Sequence, residues 1–565
     1  MIMMLLGNIN AIPFRRRFGG GGGTPFPNIP GMIARWSAKG LTNEDMSTNP
    51  VWKDLTGNGH DLQMKNFGWA GMSGVGGYNQ NFNGWGYGNL TGIGGTQTHT
   101  SSKMNLNIPS TVKNTNIYSN ATSVAKEGDI YDFTLKVMGL KDGALLRVTK
   151  GGFGEDIERI EKDGIYKIYQ PFEAGWDQSR IYIWISNPKA IDLNIIIEQL
   201  PSYPGFILGD GVDDFAVTEK ELNFEDTYTV YTAFIPFQDD PARNMILCGK
   251  NETKDFSINY SGTHINFQPS TGVNLVPRIN QFMLLVCKRN KDITTIINLF
   301  TGESRSLSSK EFIANPGLYY LWRNVYATFL ARAAIAGQTI CNGYFSTDED
   351  DEKVLNYYKQ EYPWLFPDQA WTVVGKTNED TDRATIANIT GNGNNLVLSN
   401  FGFAEGSGYN EEGEYAGYLV TDGVDDKIQS SAFTVGKDWT TVGEWEFLKE
   451  DAIKIAGIAK FGSFRFYNYS LTGRMNVYIN AELGTNVVGN SIKAVTSKGS
   501  VYLDFNSLQK VTPGDTVDFG QMLMIGHNGT NYTKIAFKNL AIFPKVLSKE
   551  DCIKAYIYLQ TLKAK

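Results

Sequence analysis

Histidine and cysteine are scarce in this 565-residue chain, which holds four of each. None of His60, His99, His264 and His527 stands at metal-ligand or catalytic-triad spacing. Cys248, Cys287, Cys341 and Cys552 are scattered, with no Cys-x-x-Cys pair. That excludes a zinc knuckle and offers no disulfide framework, so the four read as small buried hydrophobes suited to assembly in a reducing cytoplasm. Charged residues make up only 20% and the net charge is -7, which argues against nucleic acid as the main partner. No stretch is apolar enough to span a bilayer.

What the chain does have is repetition. Near its start it reads Trp36, Gly40, Thr42-Asn43-Glu44-Asp45, then Thr56-Gly57-Asn58-Gly59, then Asn66-Phe67-Gly68. Far downstream come Trp371, Gly375, Thr377-Asn378-Glu379-Asp380, then Thr390-Gly391-Asn392-Gly393, then Asn400-Phe401-Gly402. Each opening is followed by an Asp-Gly-Val-Asp-Asp block, 210–214 and 422–426, and each copy closes on a strand, an acidic helix start and tyrosines. Blocks in the same order at nearly the same spacing mean a duplicated domain. The opening and the Asp-Gly-Val-Asp-Asp block lie about 120 residues further apart in the first copy, too long for a loop. The extra segment, taken as 102–203, alternates with period two over 132–137, 144–148, 166–169 and 180–185, which reads as half-buried strands of a small inserted β-sandwich.

Sixty glycines, 13% aromatics and Asn/Asp/Gly turns favour an all-β chain over α/β units. The organisation expected is an N-terminal arm (1–30), a first sandwich in two parts (31–101 and 204–368) around the insert (102–203), and a second sandwich (369–565). Ser548 before Glu550-Asp551 is a helix N-cap signal, and Asp348–Glu352 reads as a solvated helix start whose apolar face is Val354, Leu355, Tyr357 and Tyr358. The arm carries Arg15-Arg16-Arg17 and five successive glycines, Gly19–Gly23, the composition of a flexible tether, either a plain disordered tail or an arm that docks on a larger assembly.

With opening block, Asp-Gly-Val-Asp-Asp turn and closing helix in order, each copy resembles the laminin-G-like, concanavalin A-like jelly-roll superfamily, over about 31–94 with 203–367 and over 371–565. The opening block resembles such modules in virion proteins of phages of gut Bacteroidetes, including crAss-like phages. The resemblance implies two jelly-roll sandwiches and a binding role, commonly toward carbohydrate. Flat aromatics are the residues such binding needs, and Trp69, Trp85, Tyr87, Trp176 and Trp322 are the candidates; each is also the kind of residue that fills cores. Several members of the superfamily hold calcium through acidic oxygens, which makes Asp210, Asp213, Asp214, Asp422, Asp425 and Asp426 the candidate ligands, with capping of the turn as the plain alternative. Some proteins of this fold are glycoside hydrolases, but their Glu-x-Asp-x-x-Glu strand signature is missing here, so no enzyme is expected.

The expectation is a phage structural appendage: a head fibre, tail fibre or decoration protein. It docks on other virion proteins through Arg15, Arg16 and Arg17, assembles in the host cytoplasm as a homo-oligomer, commonly a trimer, and presents lectin-like domains to host-surface glycan. It needs no cofactor beyond the calcium option. The alternatives are a secreted or surface bacterial carbohydrate-binding protein and a purely architectural virion protein.

Overall fold

A computed structural model describes residues 25–564 except 80, 87–89, 91–93, 120–129, 151–155, 172–180, 238–244, 251–255, 269–273, 311, 313–316, 324–329, 414, 449–456, 462–463, 470–473, 480–481, 489–491, 504, 506–507, 511–512, 514–520 and 528–531. The fold is all-β, with two jelly-roll sandwiches, the first interrupted by a smaller sandwich. Among the described residues there are three α-helices: α1 (Asn43–Thr48), α2 (Asp348–Glu361) and α3 (Lys549–Thr561). None is long and apolar enough to cross a membrane.

The duplication is complete at the level of topology. In the first copy one sheet runs, edge to edge, through the strands starting at Glu303, Ile293, Met283, Tyr228, Arg332, Ile207 and Gly74, with Met32–Ser37 also paired to the long strand Arg332–Asn342. The second copy repeats this with strands starting at Leu508, Ser500, Ala494, Thr440, Ile535, Tyr418 and Gly408, and with Gln369–Thr372 paired to Ile535–Phe543. The opposing eight-stranded sheets also match strand for strand. Even the bulges coincide, between Ala233 and Phe234 and between Glu444 and Trp445. Period-two alternation turns one face of each sheet inward. Trp36, Trp52, Phe234, Tyr260 and Trp322 fill the first core, and Trp371, Trp439, Trp445 and Phe537 the second.

The insert is a four-stranded sheet on a five-stranded sheet around Leu106, Phe133, Leu146, Ile183 and Ile195. Its core also takes in Phe82, Trp85 and Leu90, so it begins some 20 residues ahead of the expected position 102. The connecting segments run side by side, with the Ser202 and Tyr203 amides donating to the carbonyls of Gly77 and Gly76, which brings the ends of the insert together.

Helix α2 carries a capping box in which Thr347 and Asp350 satisfy each other's backbone N–H groups, and Ser548 caps α3 by accepting from the Asp551 amide. At the acidic start of α2, Asp348, Glu349 and Glu352 are exposed as expected, while Asp350 and Asp351 are buried. Asp351 is buried, with its carboxylate 2.9 Å from the Lys288 ammonium and accepting from Tyr231 and Ser346 hydroxyls. Beneath the helices lies a further apolar cluster that joins the copies. Phe206, Phe282, Tyr362, Trp364 and Phe366 from the first meet Phe543, Tyr558, Leu559 and Leu562 from the second. The Phe282 amide donates to the Tyr558 hydroxyl at 2.8 Å, and Trp364 packs edge-on against Tyr558. Residues 25–30, expected in the arm, belong to this body: Ile29 is buried and Phe26 packs edge-on against Tyr357 under the Arg35 guanidinium.

Candidate functional site

The repeated blocks are distant in sequence but converge in space, and each is a clip. In the first copy the Asn43 side chain exchanges two hydrogen bonds with the Val75 backbone, and Asn378 does the same with Tyr409. The neighbouring strand residue has to be glycine. A Cβ at Gly74 would stand 2.6 Å from Asn43 Oδ1, and one at Gly408 2.5 Å from Asn378 Oδ1. Asn66 and Asn400 adopt positive φ, 67° and 68°, and donate to the carbonyls of Asp213 and Asp425, each at 3.0 Å. The Asn-Phe-Gly loop is thereby fastened to the Asp-Gly-Val-Asp-Asp turn.

Within that turn the first aspartate is an Asx cap. Asp210 Oδ1 accepts from the amides of Val212 and Asp213, and Asp422 Oδ1 from Val424, Asp425 and Asp426. The last aspartate is buried beneath the turn and accepts the amide of the first, Asp214 from Asp210 at 3.0 Å and Asp426 from Asp422 at 2.7 Å. Burial pushes the Asp214 carboxyl up to about 7 and Asp426 up to about 6, eased by serine hydroxyls (Ser73, Ser407) and those amides. Carboxylate oxygens of each triad lie within 4.8 Å of one another, close enough to share a cation. Oδ1 of the first aspartate and Oδ2 of the last already hold amide N–H groups, whose dipoles oppose a cation.

His60 Nδ1 lies 3.7 Å from Asp54 Oδ2, and this carboxylate too is held by backbone amides. Asp54 Oδ1 takes the Arg35 and Thr56 amides. In the second copy Asn388 and Asn394 stand in their places, and Asn388 Oδ1 takes the Ala370 and Thr390 amides in the same way. A neutral amide serves as well as the carboxylate, so the role is structural.

The aromatic candidates divide. Trp85 is buried in the core of the insert and Trp322 in that of the first sandwich, donating to the Ala333 carbonyl, so neither is a ligand platform. Trp69 is half-buried at φ 52°, stacked on Phe67; its counterpart Phe403 has φ 50° and lies beside Phe401. Trp69 therefore belongs to the clip. Tyr87 and Trp176, and the arginines Arg15, Arg16 and Arg17, lie outside the described residues. The four cysteines are all buried and unpaired.

The inter-copy seam went unforeseen. Its one signal in the sequence is the connector Tyr362-Pro363-Trp364-Leu365-Phe366, too apolar to be an exposed linker.

No family model and no curated protein sequence matches the chain. Among solved structures it is similar to the binding domain of botulinum neurotoxin serotype C1, at 9% identity over 59% of this chain and 87% of that one, TM-score 0.25. It is also similar to the binding domain of botulinum neurotoxin DC in complex with rat synaptotagmin II (9% identity, 60% and 89% covered, TM-score 0.26) and to the same domain in complex with SialylT (8% identity, 59% and 87% covered, TM-score 0.25). Likeness at this level bears on neither ligand nor partner. The class defined by the sheets themselves is a duplicated jelly-roll protein with an inserted sandwich.

Proposed function

We propose that the protein is a non-enzymatic phage virion appendage, a head fibre, tail fibre or decoration protein, that presents lectin-like sandwiches, with host-surface glycan as the ligand. The observation that carries this reading is the apolar seam: two topologically identical sandwiches are fixed in one orientation, as suits a rigid display platform better than a hinged enzyme. The repeated polar motifs are spent on holding loops in place, which leaves binding to surfaces that differ between the copies. Arg15–Arg17 are the proposed docking residues, on other virion proteins, and homo-oligomerisation would multiply weak sugar contacts into avidity. The reading invokes no cofactor.

The test compares the full chain with one lacking residues 1–24, a boundary chosen because Phe26 and Ile29 are part of the folded body. A defined oligomer or particle association that is lost on truncation supports the virion reading. If both forms are monomers that bind a glycan array equally, the protein is instead a secreted or surface carbohydrate-binding protein. Particle assembly with no array signal leaves the architectural role and removes the glycan.

A further inference from the structure

Where the insert leans on the second copy, a slot of about 390 Å³ opens between a sheet and a helix. That volume falls within the range of small-molecule sites, roughly 300–1,000 Å³, and domain junctions are where such sites concentrate. One wall is the outer face of the five-stranded sheet of the insert, where Ile165, Lys136 and Glu198 form a cross-strand row with Leu200 beyond it. The opposite wall is the stripe Lys549, Ile553, Ile557 of α3, spaced four apart and so on one face. Pro201, Pro204 and buried Phe505, at φ 59°, complete the lining.

The chemistry of the walls is uneven in a useful way. Their depth is aliphatic, while their lip bears three ammonium groups and two carboxylates. Lys136 sits 4.0 Å from Glu198, and Lys554 2.7 Å from Glu550. Lys549 is exposed, and among the described residues no carboxylate pairs with it. A ligand that completes this arrangement has a linear apolar body to lie between the walls and one negative charge to meet Lys549. Sugars fit less well, because the slot offers aliphatic side chains and a single buried aromatic ring rather than flat exposed ones.

We propose that this slot binds an amphiphilic anion, an aliphatic chain with a single carboxylate or comparable head group. The test is titration calorimetry of the full chain with decanoate, and with decanol as the neutral-headed control. Decanoate is expected to bind one per chain. Ile553→Trp, which fills the slot from the helix side at a half-buried position, is expected to weaken it at least about tenfold. Lys549→Glu is expected to weaken decanoate by about tenfold, and decanol hardly at all. Should Ile553→Trp melt early, Leu200→Trp fills the slot from the sheet side and carries the same expectation. Absence of decanoate binding, or binding that neither tryptophan alters in a folded variant, overturns the proposal. Vesicles of phosphatidylglycerol form the second arm: sedimentation with them in place of decanoate binding would overturn assignment to a free amphiphile in favour of a bilayer lipid.

Discussion

Replacing Asp214 by asparagine should abolish most of one pH dependence and reveal whether the Asp-Gly-Val-Asp-Asp turns are caps or cation sites. Asp214 is fully buried and its carboxyl is pushed from 3.8 to about 7, chiefly by burial, with the neighbouring charges of Asp210 and Asp213 adding to it. A folded-state pKa above the unfolded value means that the native state holds a proton the unfolded chain has released. Stability from this group is therefore complete below about pH 4 and is lost as pH rises through 7. At about 1.4 kcal/mol per unit the loss amounts to about 4 kcal/mol for Asp214 and, by the same reasoning, about 3 kcal/mol for Asp426. Asparagine keeps the acceptor for the Asp210 amide but has nothing to titrate. Urea midpoints of wild type and Asp214→Asn between pH 4.5 and 8 give the comparison: wild type should lose stability relative to the variant as pH rises. If wild type instead gains stability with pH, or does so only when calcium is added, the carboxylate is ionised in the native fold and the cap reasoning fails.

Trp371→Ala removes a fully buried indole that also donates to the Asn394 carbonyl, and should cost about 3–5 kcal/mol by urea denaturation. Trp364→Ala opens the seam between the copies; calorimetry should then resolve two unfolding transitions where wild type shows one, and a single unchanged transition would mean that the seam does not couple them. All four thiols should resist Ellman's reagent in native protein at pH 8 and react once it is unfolded, since burial pushes Cys248 up to about 11 and Cys341 and Cys552 up to about 12.

The duplication was legible in the sequence because its signals are local and geometric. Asn66, Asn400 and the Asp-Gly turns must be those residues for the backbone to take that path, so they persist in both copies. The strands over 132–137 and 180–185 were legible for the same kind of reason, their alternation following from a half-buried sheet. What failed to show were pairings made across the fold. Asp351 sits in an acidic run that composition marks as solvated, and Lys288, brought over on another strand, with the Tyr231 and Ser346 hydroxyls, makes its burial tolerable. The start of the insert was misplaced because Phe82 and Trp85 reach its core from a glycine-rich tract with no period. Trp69 and Trp85 could not be told from ligand platforms, since a ring that packs and a ring that binds have the same letter.

The two copies differ beneath their closing helices. Thr229 and Thr440 hold the same place, each accepting the amide of the residue just before the helix N-cap, Ser346 in one copy and Leu547 in the other. Four residues on, the matching outward positions are Ala233 and Glu444, next to the shared bulge. In the first copy Ala233 belongs to the seam cluster. In the second that place carries Glu444, which accepts from Lys493, Tyr556 and Tyr418. Burial works to raise this carboxyl, but Lys493 outweighs it and holds it below the ordinary range. Glu444→Ala should strand the Lys493 ammonium, whose side chain is only 19% exposed, and cost about 3 kcal/mol. Adding Lys493→Leu, which removes the stranded ammonium, should recover most of that loss. Urea denaturation of the single and double variants decides the matter. A double variant no more stable than the single would mean that Glu444 acts through something other than its pairing with Lys493.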